Sequence, residues 1–165
     1  PSWATPSSPL TLSTPVNTTS GTAIDFTGIP STAKIIYIYF KHVSMDAGGA
    51  WVIQIGSSSG ISSSGYESSS SIQMSGSTNQ TDSSNAGFIL MSTTSTRYYS
   101  GLMTLALQDT STNTWVESAI ISVTTPETIL SGGYKSLTGT LDRIRITTSG
   151  GTAQFDAGSI NIAYM

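Results

Sequence analysis

Gly56-Ser57-Ser58-Ser59-Gly60 satisfies G-x-S-x-G, the spacing of a strained turn that lifts a nucleophilic serine above a sheet. That chemistry needs a helix after the turn and a base to take the serine proton. Here the turn runs into Ile61-Ser62-Ser63-Ser64-Gly65-Tyr66, which has no helical character. A chain with 16 Gly and 31 Ser also meets the pattern by chance. His42 is the one histidine and falls on the apolar side of its strand pattern. It reads as a satisfied or edge histidine, since a lone imidazole completes neither a triad nor a zinc site. The carboxylates are scattered, mostly at loop positions such as Asp46, Glu67, Asp82, Asp109 and Glu127. A glycosidase needs two of them about 5–10 Å apart across a sugar, and no motif pairs them. Asp109–Asn113 and Asp82–Asn85 offer oxygens that suit calcium, but their spacing reads better as Asx turns. The expectation is a chain without cofactor, metal or catalysis.

The aromatic loops carry a different chemistry. Arg97, Tyr98 and Tyr99 sit together just before a strand, Trp115 follows Asp109 and Asn113 at the start of another, and Tyr66 ends a Ser/Gly run. Sugars stack their C–H faces on aromatic rings and take hydrogen bonds from Asn, Asp and Arg. Tyr66, Arg97, Tyr98, Tyr99, Asp109, Asn113 and Trp115 are therefore the candidate residues of one shallow receptor site. The competing reading packs these rings in the core or between subunits. Asn17-Thr18-Thr19 and Asn79-Gln80-Thr81 match a glycosylation pattern that a Ser/Thr-rich chain meets cheaply.

The elements that position these residues follow from composition and period. Charged residues are 9% of the 165, against about 25% in an average soluble domain. Hydroxyls replace them, with 31 Ser and 25 Thr. Thr suits a pleated surface and Ser suits turns. Net charge is −3 with six Lys plus Arg, which leaves no basic footprint for nucleic acid or an anionic membrane. No apolar run reaches a membrane span of roughly 18 residues. Cysteine is absent, which removes disulfides, thiolate catalysis and cysteine metal sites. The start at Pro1 without Met reads as a fragment or processed product.

Four prolines within the first fifteen residues mark residues 1–17 as a lead or linker to something upstream. Beyond it the period is two. Ile24 and Phe26 oppose Asp25, and Ile36, Ile38, Phe40 and His42 oppose Tyr37, Tyr39 and Lys41. Trp51, Ile53 and Ile55 form another face, as do Met103, Leu105 and Leu107. Val116 and Ile120 read as the apolar side of their strand, with Glu117 opposite. Ile144 and Ile146 oppose Arg143 and Arg145, and Ile160, Ile162 and Tyr164 oppose Asn161 and Ala163. With Gly-rich turns between, residues 18–165 are expected to form an all-β domain: an antiparallel β-sandwich of jelly-roll type. It should have about eight to ten short strands and no significant helix.

Four segments carry a family resemblance: "TTSGTAIDFTGIPSTAKIIYIYFKHVS", "IQIGSSSGISSSGYESSSS", "GTLDRIRITT" and "FDAGSINIAYM". Together they are similar to the C-terminal domain of tailed-bacteriophage tail fibres and related receptor-binding tail proteins, over roughly Thr18 to Met165. The resemblance implies a distal, β-structured fibre module of the virion, made in the bacterial cytoplasm, homotrimeric, and placed to touch a host-surface receptor such as a glycan. A structural cap that trimerises the fibre without receptor contact is the alternative it leaves open. No nucleic acid or membrane insertion is implied.

Overall fold

A computed structural model describes residues 10–91, 97–124 and 126–165. Every regular element among them is a β-strand, and the strands form two antiparallel sheets packed face to face as a β-sandwich. The chain opens with two short edge strands, β1 (Thr11–Leu12) and β2 (Val16–Asn17). It then passes between the sheets through β3 (Ala23–Thr27), β4 (Ile35–Met45), β5 (Trp51–Ser57), β6 (Gly60–Ile61), β7 (Glu67–Met74), β8 (Gln80–Ser84) and β9 (Phe88–Leu90). A meander of long strands follows, β10 (Tyr99–Asp109), β11 (Thr114–Val123) and β12 (Glu127–Ser136), and β13 (Leu141–Thr148) and β14 (Phe155–Tyr164) close the chain.

The large sheet has nine strands in the order β1-β14-β4-β10-β11-β12-β7-β8, with β2 also on β14. The small sheet is β3-β13-β5-β6, with β9 on β5. Strand pairs are nested: β4 with β14 and β7 with β12 lie in the large sheet, and β5 with β13 lies in the small one. A long hairpin rolled into a jelly roll has this alternation. The innermost hairpin, β10–β11, inserts between β4 and β12 and widens the large sheet. β1 and β2 pair with β14, and the Thr18 side chain is fully buried, donating to the Ala157 carbonyl at 2.6 Å. Residues 10–17 thus belong to the sheet edge instead of a linker, because their backbone groups complete β14. Residues 1–9 lie outside the described residues.

Alternation explains most of the core. Ile36, Ile38, Met103, Leu105 and Ile121 meet Ile53, Ile55, Ile144 and Ile146 from the facing sheet, all essentially inaccessible. Trp51 gathers Tyr99, Phe40 and Phe155 around its ring, at centroid distances of 5.0, 5.7 and 6.1 Å. The serine run of β7 also has a structural use. Ser68 Oγ accepts from Ile89 N at 3.0 Å and Ser70 Oγ accepts from Met91 N at 3.1 Å. Two hydroxyls therefore satisfy the free edge of β9, where buried amides would otherwise cost about 1–3 kcal/mol each.

One strand is inside out relative to its sequence reading. Trp115, Glu117, Ala119, Ile121 and Val123 of β11 point inward, whereas Val116 and Ile120 face solvent. Both parities are apolar, and the set holding Trp115 buries more area, so it takes the core and carries Glu117 with it. The Ser131 hydroxyl lies 3.0 Å from both Glu117 carboxyl oxygens. Burial pushes this carboxyl from 4.5 up to about 8, partly offset by the Ser131 bond. The folded chain keeps a proton that the unfolded chain gives up above pH 4.5. Its stabilisation is therefore full below pH 4.5 and is lost as pH rises through about 8, by about 1.4 kcal/mol per pH unit. Urea denaturation should show this decline between pH 5 and 8, and Glu117→Gln should flatten it.

Candidate functional site

Loops gather at the two ends of the sandwich. The first end holds the turns after β5, β10 and β12 together with Tyr66, and β1 begins here, with Thr11 beside Tyr164. The second end holds the turns after β4, β7, β11 and β13 and the approach to β10. β10 spans the whole distance, so Tyr98 and Asp109 are separated by eleven residues of strand, about 36 Å. The seven candidate residues do not form one site.

At the first end most candidates are structural. Tyr66 is buried; its hydroxyl accepts from Ile55 N at 2.8 Å and can donate to the carbonyls of Ser62 (2.9 Å) or Ile55 (3.1 Å). Its ring meets Phe88 edge-on, Lys135 Nζ stands 5.2 Å from the ring centroid, and burial pushes the phenol up to about 12. Trp115 is 3% exposed, so its ring offers no stacking face, and its indole N–H has no hydrogen-bond partner among the described residues. Asp109 accepts from both the backbone and the hydroxyl of Ser111 at 2.7 Å, which holds its carboxyl below the ordinary range. Asn113 takes φ +48, a conformation Asn tolerates in tight turns. This is the Asx turn expected from the sequence, and it closes the β10–β11 hairpin.

The second end is organised by a bulge in β4. Tyr99 pairs with Val43 and Gly101 with Phe40, while Ala157 pairs with Ser44 and Ser159 with Lys41. β4 therefore spends one residue more than β10 between Phe40 and Val43, and one more than β14 between Lys41 and Ser44. His42 takes φ +55, and opposite it Gly158 takes φ +90, packed so closely that a Cβ would collide with the His42 carbonyl. The extra residue turns His42 from the apolar parity out to solvent.

Once outside, the imidazole lies flat on Tyr98, with centroids 3.8 Å apart and planes within 10°. Tyr98 is 37% exposed and its backbone is fixed to Thr124, donating to Oγ1 at 3.2 Å and accepting from Thr124 N at 3.1 Å. His42 N donates to Ser100 Oγ at 2.9 Å. Arg97 is ion-paired with Glu127 beside this cluster, while Tyr99 is 3% exposed and packs on Trp51. Tyr98 and His42 thus share one surface, Arg97 is held by Glu127 at the start of β12, and Tyr99 belongs to the core. The sequence reading missed His42 as the partner of Tyr98, because no residue type marks where a strand will bulge. Residues 92–96, which precede Arg97, lie outside the described residues.

The remaining chemistry is dispersed. Ser58, the central serine of the G-x-S-x-G spacing, stands exposed in the β5–β6 turn at the first end, far from His42. Each carboxylate has an internal partner; Asp25 and Asp142 hold Arg145 and Arg143, and Asp46 accepts from Gln154 N. Among the described residues no three His, Asp or Glu side chains converge on a metal position, and no helix is long and apolar enough to cross a membrane. Compared with known proteins, the chain matches no family model, no curated protein and no solved structure.

Gly158→Ala tests the origin of the site. The substitution forces a side chain onto φ +90 and into the His42 carbonyl, so it should cost at least about 2 kcal/mol in chemical denaturation. Where the variant still folds, the His42–Tyr98 stack should be lost, read as a changed His42 ring-proton shift.

Proposed function

We propose that the chain is a non-catalytic adhesion domain of a phage tail fibre, and that it holds a host-surface saccharide against the Tyr98–His42 ring pair. The observation that carries this reading is an exposed aromatic platform, already ordered by stacking and by the Thr124 bonds. A sugar meeting such a platform gains stacking contact with little ordering cost, which is how preorganised sites gain affinity. Ser100, Ser122 and Thr124 supply hydroxyl partners nearby. The platform sits at the end opposite the start of β1. Several copies carried on one fibre would raise a weak single-site affinity by orders of magnitude.

Tyr98→Ala is the direct test. Adsorption of purified protein to host cells should fall about tenfold or more, with urea stability unchanged within about 0.5 kcal/mol for a surface position. Tyr99→Ala should instead destabilise by about 3 kcal/mol or more, as aromatic truncation in a core does. Undiminished adsorption by the Tyr98 variant places the receptor contact elsewhere.

A further inference from the structure

The outer face of the large sheet carries a feature that the adhesion reading does not use. Asn161, Tyr39, Leu102, Ile120, Leu130 and Ser71 stand in register on six neighbouring strands. Four of them make an unbroken apolar row from β4 to β12. Ile120 protrudes from its middle, 65% exposed, with Leu102 and Leu130 each 37% exposed on either side. Where the row reaches β14 and β1 it runs into an apolar groove of about 420 Å³, lined by Leu10, Leu12, Pro15 and Tyr39, with Lys41 at its rim.

The geometry points to a second copy of this chain as the occupant, with Ile120 of one copy seated in the Leu10–Leu12–Tyr39 groove of the other. Knob and groove lie on one face, two strand spacings apart from Ile120 to Tyr39, about 10 Å. Two copies placed face to face can therefore make the same contact on each other, the self-complementarity of an isologous interface. The outward positions of these strands hold Lys41, Glu67 and Asp156 as charges, all off the apolar row; Glu67 is engaged by the Tyr134 hydroxyl at 2.7 Å and Asp156 by the Ser44 hydroxyl. Bringing like faces together thus meets no block of repelling charge. Six strands and four outward rows give a face on the order of 750 Å². That is comparable to the roughly 800 Å² per partner of a stable complex. The inference stands apart from the saccharide platform, which lies at the second end and not on this row.

Because the chain has no cysteine, the contact can be read covalently. Within one chain Leu12 and Ile120 are four strand spacings apart, about 19 Å. A disulfide spans Cα atoms only to about 6.8 Å, so a bond between these positions must join two chains. Leu12→Cys and Ile120→Cys proteins, mixed and oxidised, should give a covalent product of twice the 17.2 kDa chain, at least fivefold above either variant alone. Wild-type protein should sediment as more than one chain, and Ile120→Asp, at a solvent-facing position, should sediment as a folded single chain. A wild-type monomer at millimolar concentration would overturn the proposal. So would an Ile120→Asp protein that still associates, or mixed variants that cross-link no better than either does alone.

Discussion

A strand with a period of two can bury only one of its two sets of side chains, and β11 has apolar residues in both. The set of Trp115, Ala119, Ile121 and Val123 goes inward, where Ile121 meets the opposing sheet. Glu117 shares that parity and is carried into the core, opposite Gly133, with the Ser131 hydroxyl donating to its carboxyl. Val116 and Ile120 are carried outward by the same constraint. Because β10 and β12 pair with β11 in continuous register along most of their length, the choice passes to them and sets which face is dry and which is wet. The buried acid and the exposed isoleucine are two results of one packing decision.

Much of this fold could be read from alternation. Ile24 with Phe26, Ile36 with Ile38, and Ile144 with Ile146 are buried as their spacing required, and sandwich and strand number followed. Among the described residues ten strands have five residues or more, and four shorter ones border them. Alternation failed where it was ambiguous, as in β11, and where the register slips. Nothing in "YFKHVSM" announces an extra residue, since the bulge depends on Gly158, which is 116 positions away in sequence but adjacent in the sheet. The candidate site was legible in type but not in place. Short spacing in sequence made Tyr98 and Tyr99 look like a pair, whereas a strand points successive side chains to opposite faces.

The hydroxyl-rich composition also has more than one use. In turns, Ser111 and Ser59 close local bonds of the kind such residues favour. Inside, Ser68, Ser70 and Thr18 act as substitutes for missing backbone partners, at the edge of β9 and beside β14. These bonds join segments remote in sequence, as do the nested pairs β4–β14 and β5–β13, so much of the structure forms only after long loops close. Such non-local topologies fold slowly.

The inward carboxyl of Glu117 ties the core to the solvent through a proton. Near neutral pH the native chain holds that proton and the unfolded chain does not, given its rise from 4.5 to about 8. Unfolding therefore hands a proton to the buffer, and the heat measured in a calorimeter includes the heat of protonating the buffer. Melts in phosphate and in Tris would report different enthalpies for the same structural event, with no change in any contact of the folded state.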